Sequence, residues 1–303
     1  MEAVAPGPDL FIYYLEGRIA DPSPLRGPEF LGNWEEDGFS FLFFSGPADD
    51  RVRALVSAES GLSLIDRYDM PYDQWQGDGV GAFGAGKLFV APPGSEAATP
   101  PGMRRIVLDP GVVFGTGAHP TTRECLWAIQ EICAEDRIGR VLDLGAGTGV
   151  LALAAAALGC GPVLAVDFNR LAAETTRRNI LRNGMADRVL AVHGRAETLV
   201  GAEVDLLAAN LHHDAMMRLI AAHGFLRARW FVLSGLFRSQ AREVSDALER
   251  MPVRILDRRS GDGIWHTLVG RTAEAARRGS RTARREPRAR FDLDSKITSS
   301  CPR

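Results

Sequence analysis

The apolar positions of this chain follow two different patterns. From 105 to 270, short apolar runs alternate with longer stretches of helical spacing. That alternation builds a mainly parallel sheet with helices on both faces. The runs predict strands at 140–144, 163–167, 188–193, 204–209, 230–234, 253–256 and 264–269. Helical spacing predicts helices at 121–133, 150–158, 171–182, 214–223 and 240–249. Asn183-Gly184 supplies a left-handed stop for the third of these. The last two strands flank Gly261-Asp-Gly263 and are expected to pair as a hairpin.

Before residue 105 the pattern is less regular. Segments 9–15 and 39–44 are aromatic-rich and strand-like, 61–68 is a further strand candidate, and 49–57 sets Val52, Leu55 and Val56 at helical spacing. Asp21-Pro-Ser-Pro24 and Arg26-Gly-Pro28 break structure between the first two strands. A unit of this size has a marginal core of its own and reads either as a module that binds a partner or as scaffold. Residues 71–104 look like a linker: five glycines crowd between 77 and 86, two Pro-Pro-Gly runs follow, and 87–91 is the one strand candidate. Such a linker lets two domains reorient. The expected organisation is a small α+β domain (1–70), a Gly/Pro-rich linker (71–104), an α/β domain (105–270) and a tail (271–303).

Composition adds an asymmetry. Hydrophobic residues make up 46% and charged residues 24%, as in an ordinary globular protein. The tail carries ten Lys/Arg against four Asp/Glu, net +6, which leaves −8 on the rest of a chain whose total is −2. The body is therefore not drawn to nucleic acid, whereas the tail is able to be. Rich in Arg and short of large apolar residues, the tail is expected to be disordered. The four cysteines (Cys125, Cys133, Cys160, Cys301) form no C-x-x-C pair, so neither a zinc site nor a disulfide framework is indicated. They read as reduced thiols, three of them buried. The N-terminus lacks the features of a signal peptide, and the most apolar segment, 150–158, is too short to span a bilayer. These features point to the cytoplasm.

The candidate chemistry centres on Asp143-Leu-Gly-Ala-Gly-Thr-Gly149, between a predicted strand and a predicted helix. Gly145, Gly147 and Gly149 leave the backbone bare for close approach of a ligand, and the helix directs its free N–H groups at it. Asp167 ends the next strand, at the spacing from which a carboxylate accepts hydrogen bonds from ribose hydroxyls. The spacing is G-x-G-x-G, not the G-x-G-x-x-G of a dinucleotide site. Asp143 would repel a pyrophosphate but could hold a cationic amine. The spacing and the extra acid resemble the nucleotide-binding loop of S-adenosylmethionine-dependent methyltransferases, whose cofactor carries an amino-acid moiety and no phosphate; a dinucleotide site and a purely structural turn are the alternatives.

Ligands sit outside the carboxyl ends of strands in such sheets. Glu197, soon after the third strand, is placed to meet an adenine edge. Asn210 ends the fourth strand, where its carbonyl can accept from a substrate amine; a helix N-cap is the competing role. The loop 108–122 precedes the glycine motif and reads as a cofactor lid or an ordinary loop. Within it Pro120 suits a first helical turn, and Thr121-x-x-Glu124 fits a capping box. His119 reads as a base, a substrate contact or a turn residue. His212-His213 diverge on a helix and do not indicate a metal site.

The run Leu108-Asp-Pro-Gly-x-x-Phe-Gly-Thr-Gly-x-His-Pro-Thr-Thr122 resembles the signature of the ribosomal protein L11 methyltransferase family (PrmA). The glycine loop, Asp167, Ala209-Asn-Leu211 and Ser234-Gly235 follow in the family's order and spacing, so the resemblance covers about 70–270. It implies a seven-stranded, Rossmann-like S-adenosylmethionine-dependent methyltransferase domain acting on amines of a large-subunit ribosomal protein. It also implies cofactor contacts from Thr122, Gly145, Asp167 and Asn210, with Asn210 near the reacting amine and Phe114, His119 and Trp265 near the substrate. Leu211 joins Phe114 and Trp265 as apolar walls for that amine. In the family the N-terminal region docks the substrate. Ala118 and Phe168-Asn169 depart from the family's usual residues, and the Arg-rich tail has no counterpart there. The tail suggests a weak contact with ribosomal RNA. Alternatives are a lysine methyltransferase of another protein, a nucleic-acid-binding adaptor with a vestigial cofactor fold, and a nicotinamide-dependent oxidoreductase.

Overall fold

A computed structural model describes residues 7–36, 38–76, 81–113, 115–201 and 203–273. Phe114 and the tail beyond 273 lie outside the described residues, and with them the expectations placed there.

The small N-terminal sheet comprises β1 (Asp9–Glu16), β2 (Phe30–Glu36), β3 (Phe39–Phe44) and β4 (Ser63–Pro71), with helix α1 (Asp49–Ala58) between the last two. All pairings are antiparallel, in the order β2-β3-β1-β4. Strand β2 is absent from the sequence expectation. The proline breaks before it hide it, and its residues are half-buried without clean alternation. One face of the sheet packs on α1 through Tyr13, Leu15, Leu42 and Phe44 against Val52 and Leu55. The other packs Leu10, Ile12 and Phe43 against Val112, Val113 and Leu171.

A short helix α2 (Tyr72–Gln76) follows, and its Trp75 Nε1–H donates to the Val112 carbonyl at 3.1 Å. The stretch expected to hold one strand then holds two, β5 (Phe83–Ala85) and β6 (Leu88–Ala91), which pair with β7 (Arg104–Val107) in a three-stranded sheet. Leu88, Val90 and Ile106 of this sheet join the main core.

The central sheet has seven strands: β8 (Val141–Leu144), β9 (Val163–Asp167), β10 (Val189–His193), β11 (Val204–Asn210), β12 (Ala228–Phe237), β13 (Val253–Arg259) and β14 (Trp265–Thr272). Their order is β10-β9-β8-β11-β12-β14-β13. The first five are parallel, and the terminal pair runs antiparallel as a hairpin. Strand β14 continues past the expected start of the tail. Arg271, counted above with the tail, stacks over the Trp230 ring at 3.6 Å and pairs with Glu135.

Helices α3 (Pro120–Glu135), α4 (Val150–Ala157) and α5 (Arg170–Arg182) supply one layer, and α7 (His213–Ala221) and α8 (Arg238–Glu249) the other, with the short α6 (Ala196–Leu199) beside them. Helix α4 reads Val-Leu-Ala-Leu-Ala-Ala-Ala-Ala and is buried on every side, as a helix that is apolar all round must be. Cys125 and Cys160 are buried, but Cys133 is half-buried in the last turn of α3, its Sγ 3.3 Å from that of Cys160. Among the described residues no helix is long and apolar enough to cross a membrane, and no group of three or more His, Cys, Asp or Glu could hold a metal ion.

Candidate active site

The order reversal between β8 and β11 opens a crevice at their carboxyl ends. The glycine loop fills the end of β8. Gly145, Gly147 and Gly149 have φ of 72°, 56° and 83°, the left-handed region open to glycine. A Cβ on Gly145 would lie 2.3 Å from Leu211 Cδ2, so this glycine is needed for conformation and for close approach alike. Leu211 thus packs on the glycine loop, a placement the sequence reading did not foresee.

Asp167 is 6% exposed. Its Oδ2 accepts the Gly147 N–H and its Oδ1 the Asn169 N–H, both at 2.9 Å. Burial pushes its carboxyl upward, opposed by these two N–H groups. Asn169 then caps α5, its Oδ1 accepting from Leu171 and Ala172 N–H. The departure from the family's usual acid next to Asp167 thus has a structural role.

Asp143 is only 1% exposed. Its Oδ2 accepts the Ala152 N–H at 3.0 Å, and its Oδ1 is buried without a hydrogen-bond partner. Burial drives its pKa up to about 7. Glu197 is likewise not free: Arg218 Nε donates to its Oε1 at 3.0 Å.

The lid candidate 108–122 is fastened to the glycine loop and to α5. Thr148 Oγ1 donates to the Gly115 carbonyl at 2.6 Å. Asn179, fully buried on α5, donates to the carbonyls of Asp109 (2.8 Å) and Thr148 (2.9 Å) and accepts the Asp109 N–H at 3.0 Å. Thr176 Oγ1 adds a bond to the Gly147 carbonyl at 2.9 Å. Helix α5 therefore holds both loops. The sequence reading missed Asn179; a polar residue on the apolar side of a predicted amphipathic helix was the available signal.

His119, not Thr121, caps α3: its Nδ1 accepts from the Thr121 N–H. Glu124 is turned away to Gly261 and Thr267, so no capping box forms. Asn210 does not cap a helix; His212 occupies the N-cap position of α7. Instead Asn210 Nδ2 donates to Thr121 Oγ1 at 3.1 Å and, more weakly, to the buried Thr122 Oγ1 at 3.5 Å. With Nδ1 accepting the Thr121 N–H as the cap, the Thr121 hydroxyl, 2.8 Å away, donates to Nδ1 as well. That leaves the proton of a neutral His119 ring on Nε2. Burial lowers the His119 pKa, with Asp262 opposing, which favours the neutral ring.

The Asn210 Oδ1 is left as an unspent acceptor. It faces Gly235, whose φ is 90° and whose missing Cβ would lie 2.9 Å from it. Gly235 lies within the irregularity of β12 between Leu233 and Leu236. Trp265 completes the site, 4.9 Å from His119 edge-on and 4.3 Å from Phe237 in a stack. The structure thus links Trp265 to His119, links His119 through Thr121 to Asn210 beside Thr122, and sets Leu211 against the glycine loop.

Comparison with known proteins identifies the family. The family model for ribosomal protein L11 methyltransferase (PrmA) matches residues 82–273. The chain belongs to the PrmA family. A PrmA relative from Desulfitobacterium hafniense is 33% identical over 284 residues, 85% of this chain and 90% of its own length. Another, from Desulforamulus reducens, is 36% identical over 185 residues, 59% of this chain and 58% of that relative. The crystal structure of ribosomal protein L11 methylase from Lactobacillus delbrueckii subsp. bulgaricus matches 63% of this chain and 98% of its own, at 25% identity and a TM-score of 0.55. PrmA membership makes this chain a protein methyltransferase, and the family implies S-adenosylmethionine as its cofactor.

Proposed function

We propose that this chain transfers methyl groups from S-adenosylmethionine to the N-terminal α-amine and lysine side chains of ribosomal protein L11. The observation that carries the reading is Asn210: its amide nitrogen is anchored on α3, and its side-chain carbonyl oxygen lies at the strand end against Gly235 with no hydrogen bond among the described residues.

The residues present suit this cofactor. Gly145, Gly147 and Gly149 give it a backbone surface without side chains, and Thr122 and Asn210 border that surface. Asp167 keeps lone pairs for ribose hydroxyls after accepting its two backbone bonds. The partnerless Asp143 Oδ1 suits a cationic amino group and would oppose a pyrophosphate. When bound, S-adenosylmethionine supplies a methyl group on a sulfonium, whose loss leaves a neutral thioether.

The protein's main task is then alignment at near-attack distance. The Asn210 carbonyl accepts an N–H of the substrate amine and directs the nitrogen lone pair. An α-amine, with a pKa of about 7.7–8.0, is partly neutral at physiological pH, whereas a lysine near 10.4 is mostly charged. Desolvation against Leu211 and Trp265 favours the neutral lysine. His119 offers no base at Nδ1, which is taken by Thr121, nor at Nε2, which holds the proton. No dedicated base is required. The N-terminal sheet docks the substrate, and the reaction belongs to the cytoplasm.

Intact-mass spectrometry of L11 incubated with the chain and S-adenosylmethionine, beside an Asn210→Ala control, tests this. Additions in whole methyl steps, lost in the control, are expected. No addition despite cofactor binding would move the substrate to another protein; no cofactor binding would leave a vestigial fold.

A further inference from the structure

Glu124 is not among the groups assigned so far, yet it reaches from α3 to two other elements that converge on Asn210. Its Oε2 accepts from Thr267 Oγ1 at 2.6 Å, and its Oε1 accepts the Gly261 N–H at 2.5 Å. Thr267 Oγ1 lies 2.6 Å from Ser234 Oγ, and Thr267 and Ser234 are fully buried. An ionised carboxylate only accepts, so Thr267 donates to Glu124 and Ser234 must donate to Thr267. The charge at one end fixes the direction of the whole relay.

Each end of the relay supports one wall of the site. The Ser234 carbonyl accepts the Leu211 N–H at 3.0 Å, and the adjoining Gly235 lies against Asn210 Oδ1. Gly261 opens the turn in which Asp262 Oδ1 accepts the N–H groups of Ile264 and Trp265, each at 2.9 Å. Trp265 in turn meets His119, the cap of the helix that carries Glu124.

We propose that Glu124 is a positioning residue for methyl transfer: through Thr267 and Ser234 it sets the β12 irregularity behind Asn210, and through Gly261 it sets the turn that carries Trp265. The proposal rests on the reading of Asn210 and Trp265 as substrate-facing groups. A carboxylate is the side chain this position asks for, because it satisfies two donors with short, charge-assisted bonds. A glutamine has one acceptor oxygen for those two donors and turns an NH2 group on one of them.

The test uses the full chain with Glu124→Gln, Thr267→Val and the conservative Thr267→Ser. Three quantities are read: the single-turnover rate of L11 methylation, the affinity for S-adenosylhomocysteine, and amide hydrogen exchange across 261–265. Glu124→Gln is expected to slow the single-turnover rate by about tenfold to a hundredfold, the scale of a small misplacement of reacting groups. Its affinity for S-adenosylhomocysteine should stay within about twofold, because uniform binding is untouched. Exchange at 261–265 should rise by about tenfold or more as a local opening becomes easier. Thr267→Val should reproduce the rate loss, and Thr267→Ser should restore it.

Unchanged exchange in Glu124→Gln overturns the proposal whatever the activity shows. A wild-type rate in Glu124→Gln, or a rate loss matched by an equal loss of S-adenosylhomocysteine affinity, also overturns it. If the wild-type chain adds no methyl group to L11, the functional reading fails separately, and the exchange measurement still decides whether Glu124 holds the turn.

Discussion

Replacing Asp143 by asparagine should stabilise the cofactor-free protein at alkaline pH while weakening its hold on the cofactor. The carboxyl is buried, one oxygen has no partner, and its pKa is pushed up to about 7 by desolvation. An unfolded aspartate titrates near 3.9, and each unit of difference is worth about 1.4 kcal/mol. Above pH 7 the ionised group therefore costs the folded state roughly 4 kcal/mol. The sign follows from proton binding. The folded state binds the proton more tightly, so its stability rises as pH falls through about 7 and levels off below the unfolded value near 4. By pH 5 the remaining cost is roughly 1–2 kcal/mol.

Asparagine carries no charge and can keep the bond from Ala152, but its buried NH2 lacks an acceptor, at about 1–3 kcal/mol. The variant should thus be more stable by about 1–3 kcal/mol at pH 8, and the difference should shrink by roughly 3 kcal/mol at pH 5. Urea unfolding of both proteins at the two pH values measures it. A stability difference that does not change with pH would refute the assignment of a raised, buried carboxyl.

Three other substitutions probe the same region. His119→Ala should cost about 1 kcal/mol of stability through the lost cap and less than tenfold in the chemical step; a thousandfold loss with cofactor affinity intact would show that a base acts there after all. Gly145→Ala sets a Cβ 2.3 Å from Leu211 Cδ2 at a positive φ, so calorimetry should find cofactor binding lost and thermal unfolding a stability loss of about 1–3 kcal/mol. Asn179→Ala strands the N–H and carbonyl of Asp109 and the Thr148 carbonyl, and should cost about 2–4 kcal/mol; wild-type resistance of 108–122 to proteolysis would argue against its role as the fastening.

Much of the main domain was legible because its strands are buried on both faces and its helices are strongly periodic. Strand β9 lies at 163–167 as expected, and α4 differs from expectation by one residue. Strand β2 was not legible, since its half-buried residues show no alternation and prolines precede it. The segment 71–104 reads as linker by its glycines, yet its Leu88 and Val90 are buried in the main core with α3 and α4. Among the site candidates, Gly145, Asp167, Asn210 and His119 were singled out by local spacing. Glu124 and Asn179 were not, because what each does depends on partners 31 to 143 positions away. Nor can spacing tell an exposed acid from a buried one, so the burial of Asp143 was not legible.

Helix α5 has a consequence for how such a protein can change. At its N-terminal turn, Leu171 packs so closely under β2 that a Cβ on Gly32 would lie 2.4 Å from Leu171 Cδ1. Two turns further on, Thr176 and Asn179 grip the backbone of the glycine loop. The N-terminal sheet and the cofactor loop thus rest on one rigid rod, and any factor by which occupancy of one tightens the other must apply equally in reverse. The sheet is therefore not a detachable head. A graft that exchanged it for another recognition surface would have to carry a matching glycine-for-leucine contact on α5, or it would retune the cofactor loop along with the choice of partner.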